Sequence, residues 1–411
     1  MEKSYMTGLT VEEAIDLLKE GIRPVKTRTV PLTEAADRIL AQDIYAEENI
    51  PPFDRSPYDG YAFRSEDIRQ ASPENPVSLS VIEEIPAGHA PQKTIGQGQA
   101  AKILTGAPVP KGADAVEMFE KTEYTKETVT FTHSVKSGSN ICLTGEDIKK
   151  GNLVAAANTR LTPAVLGILA GLGQSFVTIY EKVKISIIST GDELVPIDAP
   201  VLPGKIRNSS SFMLMYILYR WGMDAYVYGI VPDDKDSIGK AIRECAEKSD
   251  VVVTTGGVSV GDYDMMLRTL EALQAKIAFW KVKMKPGMAF LSGIYKDKLL
   301  LCLSGNPSAA AAALHMVGRP VLLAKAGLDS AGMVPCKVRL MSPFPKKSPM
   351  RRFIPGILRI RDGEAWLDAS LNQANGVLSS WHGCNIIADI KPGTNALEAG
   401  CQVDALYIAE I

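Results

Sequence analysis

VVVTTGGVSVGDYD, residues Val251 to Asp264, decides how this chain is read. Its first half is a β-branched apolar run ending in the hydroxyl pair Thr254-Thr255. That is the composition of a strand buried on both faces at the centre of a parallel sheet. Gly256 and Gly257 then free the backbone, and a short loop closes on Asp262 and Asp264. Open α/β sheets bind ligands beyond the carboxyl ends of their strands. Two carboxylates beside a glycine-freed backbone at that place suggest a metal ion and a phosphate-bearing ligand. Taken alone, the stretch is equally compatible with a tight strand-to-helix turn capped by an aspartate.

The flanking sequence repeats the pattern. Val183 to Ser189 reads as a strand ending in Thr190-Gly191-Asp192-Glu193. Asn208-Ser209 caps the helix SSFMLMYILYRWG, stopped by Gly222. A second strand, Ala225 to Val231, runs into Pro232-Asp233-Asp234, and Ser237 to Lys248 has the apolar spacing of a helix. After the opening stretch come the helix MLRTLEAL, a strand from Ile277 to Met284 leading to Lys285-Pro286-Gly287, and a strand from Leu299 to Leu303. Ser304-Gly305-Asn306-Pro307-Ser308 then opens a long alanine-rich helix. Successive βα units of this length predict a right-handed parallel sheet with helices on both faces.

Such a sheet gathers its strand ends on one edge. Asp192, Glu193, Asp233, Asp234, Asp262 and Asp264 would meet Lys281, Lys285 and the Ser304–Ser308 loop there. Carboxylates in that number suit Mg2+, which prefers oxygen ligands and keeps several waters. Gly256, Gly257 and Gly305 let backbone N–H groups approach phosphate, and a helix starting after Asn306-Pro307 favours an anion. Lys281 and Lys285 would neutralise developing charge. There is no Walker A or dinucleotide-binding glycine signature.

Outside this region the chain changes character. Thr10-Val11-Glu12-Glu13 is a capping box that opens an amphipathic helix, with Gly21 as its stop. Asn49 to Phe63, NIPPFDRSPYDGYAF, is a stiff proline-rich loop suited to holding a carboxylate in place, or an ordinary linker. Residues 77–132 carry short strand signals separated by Gly, Pro and Asn, a small β domain. Within it Thr105 ends a strand, and Glu146 and Asp147 follow in the turn LTGEDIKKG. Thr162-Pro163 starts a helix of small residues that could, with the N-terminal helix, connect domains or dimerise. Beyond about residue 328, short strands return as a small β barrel or sandwich.

Composition sets the outer bounds. A chain of 411 residues calls for roughly two to four domains. A formal net charge of −2 gives no basic footprint for nucleic acid. No apolar run approaches the roughly 18 residues of a membrane span, and the first residues lack a signal-peptide pattern. Six scattered cysteines read as reduced thiols of a cytoplasmic protein, and the four isolated histidines argue against zinc.

PPFDRSPYDGYAF, ILTGAPVPKGADAV, TGEDI, STGDELV, TTGGVSVGDYD, KMKPG and SGNPS occur in that order. In this the chain resembles the molybdopterin molybdenumtransferases, the family of bacterial MoeA and the gephyrin E domain. The resemblance implies an elongated linker region (residues 1–50 and 143–180), an inserted β-rich domain (51–142), a doubly wound α/β molybdopterin-binding domain (181–328) and a C-terminal β barrel (329–411). It implies a homodimer whose site lies between the α/β domain of one subunit and the inserted domain of the other. The implied reaction takes adenylylated molybdopterin and molybdate, cleaves the pyrophosphate with Mg2+, and releases AMP and molybdenum cofactor. The adenylyltransferase and molybdoenzyme apoproteins are the further partners it implies.

By motif, the resemblance assigns catalysis to Asp59, Thr105, Asp147, Glu193, Asp233, Asp264, Lys281 and Lys285. It assigns substrate binding to Thr190, Gly191, Asp192, Thr255, Gly256, Gly257, Ser259 and Asp262 on the first strand ends, and to Pro286, Gly287, Ser304, Gly305, Asn306, Pro307, Ser308 and Arg352 on the later segments. The implied metal ligands are Asp192, Glu193, Asp233 and Asp264. Three positions depart from the family pattern. Met288-Ala289 stand where Lys-Pro is common, Ser304 where Pro is usual, and Tyr58 where Met is usual. The first removes a positive charge beside the expected oxyanion site. It keeps open a tungstate-using or non-catalytic paralogue acting as a pterin-binding or scaffold protein.

Overall fold

The strand Val251–Thr255, every residue of it buried, lies inside a seven-stranded sheet. The order across that sheet is Met6–Leu9, Lys276–Val282, Phe290–Tyr295, Lys298–Leu303, Val251–Thr255, Lys184–Thr190 and Asp224–Val231. The structure is a computed structural model and describes residues 5–258, 265–328, 332–369, 374 and 376–408. Parallel pairing puts Ser189 opposite Thr255, Thr255 opposite Leu303, and Thr190 opposite Val231. Four strands therefore finish together on one edge.

The period of two along each strand sorts the side chains between two cores. Val251, Val253, Leu299, Leu301 and Leu303 pack on one face with Leu214 and Leu218 of the helix Ser210–Arg220 and with Ala310, Ala313 and Val317. Val252, Leu300 and Cys302 pack on the other with Ile238, Ala241 and Cys245 of the helix Lys235–Lys248 and with Met266 and Leu270. Helices on both faces make the unit doubly wound.

Two features depart from the sequence reading. The sheet is mixed, because Phe290–Tyr295 runs antiparallel to both its neighbours. It was invisible as a separate strand because Lys296 and Asp297, both at positive φ, reverse the chain in a two-residue turn. The strand before it ends at Val282, and Met284–Lys285 leaves the sheet to pair with the C-terminal domain. Lys281 to Lys285 is thus not a loop on the α/β edge.

The N-terminal helix also lies elsewhere than expected. Val11–Glu20 keeps its capping box, with Thr10 Oγ1 accepting from the Glu13 N–H at 3.2 Å and Glu13 Oε2 accepting from the Thr10 N–H at 2.8 Å. Its buried face of Val11, Ala14 and Leu18 joins the α/β core, and Met6–Leu9 is an edge strand of the main sheet. These residues belong physically with the α/β unit, not with the linker. The linker consists of Thr27–Pro31 paired with Phe176–Tyr180, Ile44–Tyr45 paired with Leu153–Ala155, and the helix Pro163–Gly171.

The inserted unit is a six-stranded sheet built on Gly60–Phe63, Val77–Ile85 and Gln99–Ile103. In the C-terminal unit Arg351–Arg361 pairs with both Glu364–Ala369 and Ile386–Ile390, which closes five strands into a barrel. The alanine-rich helix runs from Pro307 to Lys325 through a π turn at Leu314–Gly318. Pro320 lacks the N–H that a regular helix would bond to Met316, and the helix widens just before it. Among the described residues no helix is long and apolar enough to cross a membrane.

One ion-pair group joins helix to barrel. Asp389, 6% exposed, accepts from Arg351 Nε and Nη2 at 2.8 Å each and from Lys391 Nζ at 2.5 Å. Arg351 also reaches Glu12 Oε1 at 2.5 Å. Burial alone would raise the Asp389 pKa, but the hydrogen bonds and charges of Arg351 and Lys391 outweigh it and hold it below the usual carboxylate value. A depressed folded pKa contributes stability above the unfolded value of about 3.9, and that stability is lost as pH falls through the folded value. Asp389→Asn is expected to cost about 3 kcal/mol at neutral pH, read from urea unfolding, and to flatten the acid limb of the stability curve.

Candidate active site

The edge where the parallel strands end carries a cleft of 560 Å³, walled by Thr190, Glu193, Asn208, residues 255–258 and the segment Ser304–Pro307. Its floor depends on close backbone packing. Gly256 has φ +94°, and a Cβ there would lie 2.1 Å from the Thr190 carbonyl oxygen. Gly257, at φ +66°, turns the chain past Thr190 Oγ1 and Asp233 Oδ1, which would stand 3.1 and 3.5 Å from its Cβ. Gly305 abuts Gly256 from the neighbouring strand end. Three strand ends thus meet with only backbone between them.

The acidic side is formed by Asp192, Glu193 and Asp233. Asp192 Oδ1 accepts from the Asp233 N–H at 3.4 Å, and the Glu193 carboxylate folds back over Gly191, where a Cβ would be 2.6 Å from Oε2. Burial, and then the negative charges of Asp192 and Glu193, raise the Asp233 pKa. The Thr190 hydroxyl tempers that rise without reaching hydrogen-bond geometry, and Thr190 Oγ1 is buried without a partner. Among the described residues no three Asp, Glu, His or Cys side chains converge into a ready cation cage. Mutually repelling carboxylates beside an unsatisfied hydroxyl fit an ion that takes one or two protein carboxylates and keeps its waters, which is how Mg2+ binds. Ser259, Asp262 and Asp264 lie outside the described residues.

Below the floor, Thr255 Oγ1 and Ser189 Oγ are 3.0 Å apart, and Asn208 Nδ2 donates to Ser189 Oγ at 3.0 Å. Asn208 Oδ1 in turn accepts from the Ser211 N–H at 3.4 Å. The sequence reading had Asn208 only as part of a helix cap. Its wider role, tying a helix start to two strand ends, depended on the register of those strands. Across the cleft, Ser304 Oγ accepts from the Asn306 N–H at 3.3 Å. Asn306 and Pro307 open the helix as expected. Ser308 is turned away, its hydroxyl accepting from Trp381 Nε1 at 2.9 Å.

The remaining predicted residues form two separate groups. Lys285 sits opposite Arg352 in parallel register. Arg352 is 9% exposed, its guanidinium lies 5.4 Å from the Phe344 ring, and its Nε is buried without a partner. Pro286 and Gly287 are buried beside them, and Gly287 would meet the Ala309 carbonyl at 3.1 Å if it carried a Cβ. Lys281 adopts φ +72° and lays its ammonium 3.9 Å from the Trp280 ring centre.

In the inserted unit, Asp59 Oδ1 accepts from both the N–H and the hydroxyl of Thr105, each at 2.7 Å. Those two bonds lower its pKa. Asp54 makes the same pair of bonds with Thr144, again at 2.7 Å each, which places the turn carrying the exposed Asp147. Asp54 lies in the proline-rich loop NIPPFDRSPYDGYAF, where its sequence position assigns it no partner. The pairing spans residues distant in sequence, so spacing carried no sign of it. Asp59, Thr105 and Asp147 are not among the residues walling the 560 Å³ cleft of their own chain.

Comparisons with known proteins match the chain along its whole length. Residues 9–173 match the MoeA N-terminal region (domain I and II), 186–324 a probable molybdopterin binding domain, and 337–408 the MoeA C-terminal region (domain IV). The molybdopterin molybdenumtransferase of Bacillus subtilis (strain 168) is 36% identical over 408 residues, covering 98% of this chain and 95% of that protein. That of Staphylococcus epidermidis is 35% identical over 407 residues, covering 99% and 97%. The crystal structure of the molybdopterin biosynthesis MoeA protein from Pyrococcus horikoshii OT3 superposes with a TM-score of 0.83 at 32% identity, covering 97% of this chain and 100% of that one. A doubly wound domain with this strand-end cleft, joined to a β-rich insertion and a closed five-stranded barrel, is the architecture of an enzyme of molybdenum cofactor biosynthesis. The chain belongs to the molybdopterin molybdenumtransferase family.

Gly256→Ala should damage the cleft floor specifically. It combines a left-handed φ with a backbone clash, and is expected to cost roughly 1–3 kcal/mol in thermal unfolding. Gly363→Ala, at φ +79° with nothing within 4 Å of its Cβ, should cost only about 1 kcal/mol and serves as the control.

Proposed function

We propose that this protein inserts molybdenum into adenylylated molybdopterin, with Mg2+-dependent cleavage of the pyrophosphate and release of AMP, as the last step of molybdenum cofactor synthesis. The observation that carries the reading is the coupling of Asp192, Glu193 and Asp233 beside the glycine floor of Gly256, Gly257 and Gly305. Free backbone there would bind phosphate, with Thr190, Thr255, Ser304 and Asn306 as further polar contacts. Asp192, Glu193 and Asp233, joined by Asp264, would hold Mg2+, which when bound supplies charge neutralisation at the pyrophosphate. Lys285 and Arg352 would bind molybdate, since adjacent cations in register suit an oxyanion, and Lys281 would add a further positive charge.

Asp59, pre-set by Thr105, and Asp147 would act on the cleft of a partner subunit in a cytoplasmic homodimer. This fits their absence from the wall of the cleft in their own chain. The adenylyltransferase that makes the substrate and the apoproteins that take the product are the expected macromolecular partners.

The test is AMP release by the purified chain with adenylylated molybdopterin, Mg2+ and molybdate; no AMP above background sinks the reading. Asp233→Asn should lower the rate by about 100-fold. It should leave stability at neutral pH unchanged or raised by ~0.5 kcal/mol at most, because it removes the repulsion from Asp192 and Glu193 at a site open to solvent. A raised Asp233 pKa also means that divalent-cation affinity falls as pH drops into the acid range, earlier than for an ordinary carboxylate, measurable by Mg2+ titration.

A tungstate-using or pterin-holding variant of the same reading rests on Met288, half-buried beside Pro286 and Gly287. Under it, Met288→Lys raises molybdate-dependent turnover several-fold. Unchanged turnover and equal use of both oxyanions would remove it.

A further inference from the structure

A larger cleft, of 720 Å³, lies at the opposite edge of the main sheet. It opens where strands begin. Lys182 precedes Lys184–Thr190, and Gly222 precedes Asp224–Val231. Seven residues of strand at about 3.3 Å each separate it from Thr190 by roughly 20 Å. It is therefore distinct from the strand-end cleft.

Its walls hold Arg38, Arg160, Lys182, Arg220 and Arg319 against one carboxylate, Asp37, among the described residues. In a chain of net charge −2 that is a marked local excess. Arg38 Nη2 donates to the Tyr180 carbonyl at 2.8 Å and Arg160 Nη1 to the Asp37 carbonyl at 3.3 Å. These bonds to carbonyls orient the guanidinium forks without neutralising them, and Glu181, beside Lys182, offsets part of the charge of Arg38. Among the described residues, Arg38, Arg160, Lys182 and Arg220 form no ion pair.

Arg220 and Trp221 also line an adjoining recess of 150 Å³ between the α/β unit and the barrel. Besides Arg220 and the Cys384 thiol, its lining is apolar and aromatic except for one buried imidazole. His315 is 6% exposed and its Nδ1 has no hydrogen-bond partner. The π turn places its ring stacked on Trp381, centroids 5.3 Å apart, and edge-on to Trp221 at 5.1 Å. Burial, and then Arg319 and Arg220, push its pKa down to about 3, so the ring is neutral. A neutral imidazole nitrogen in an aromatic recess is an unspent hydrogen-bonding group.

We propose that the two spaces form one second ligand site, which takes a nucleotide. The phosphates lie on Arg38, Arg160, Lys182 and Arg220, whose forked and pointed donors suit phosphate oxygens. The base enters the recess beside Trp221 and Trp381, with His315 Nδ1 hydrogen-bonding its edge. No step of the proposed reaction uses these residues, so binding here is separable from turnover.

The experiment uses the full chain with Trp280→Phe and Trp366→Phe, leaving Trp221 and Trp381 of the four tryptophans as local reporters. ATP should change their fluorescence saturably, more tightly at low than at high salt, and pyrophosphate should bind more weakly than ATP. Lys182→Ala with Arg220→Ala, both exposed positions, should weaken ATP at least about tenfold while leaving the unfolding temperature unchanged. Lys182→Arg with Arg220→Lys should restore most of the affinity. No saturable change with ATP, an affinity untouched by the double alanine variant, or equal affinity for pyrophosphate and ATP would overturn the assignment. A change in oligomeric state with ATP affinity unaltered would also overturn it, in favour of a subunit contact.

Discussion

Gly256 lies against the Thr190 carbonyl so closely that no side chain fits between them, and the architecture of the cleft follows from that contact. Two strand ends come that near only if neighbouring strands run parallel and in register, as Ser189 opposite Thr255 and Thr255 opposite Leu303 do. The register is held from below by two apolar cores whose side chains alternate along each strand. A slip of one residue would exchange those faces and separate Gly256 from Thr190. The same packing that stabilises the sheet thus fixes the geometry available to a ligand.

Polar groups at this edge are held at a cost. Asp233 is charged beside Asp192 and Glu193, and Thr190 Oγ1 is buried without a partner. Several buried polar groups elsewhere in the chain are satisfied. Asp389 has Arg351 and Lys391, Glu117 has His133, and Ser308 has Trp381. Unsatisfied polarity gathers at functional sites, where a ligand completes what folding leaves open. Arg352 Nε, His315 Nδ1 and Ser211 Oγ are likewise buried without a partner.

Joining the units together required connections that do not follow chain order. Met284–Lys285 leaves the α/β sheet to add an edge to the barrel, and Glu12 of the first helix reaches Arg351 of the barrel. The chain returns to the linker twice, through Thr27–Pro31 and Phe176–Tyr180, with the inserted sheet in between. Short range in sequence is therefore a poor guide to which unit a residue serves here.

Periodicity and punctuation determined much by themselves. The β-branched run at Val251, the capping box at Thr10, the Pro-initiated helices and the glycine pairs all form as read, because each depends on neighbours within a few residues. The acidic and glycine-rich strand ends were legible for the same reason. Only the tertiary structure decided that Phe290–Tyr295 reverses direction, that the first helix joins the α/β core, and that Lys285 faces Arg352. Only it paired Asp59 with Thr105 and Asp54 with Thr144, and drew Asn208 beneath Thr255 through Ser189. These contacts join residues far apart in the chain, and their free energy comes from packing and register that no local pattern encodes.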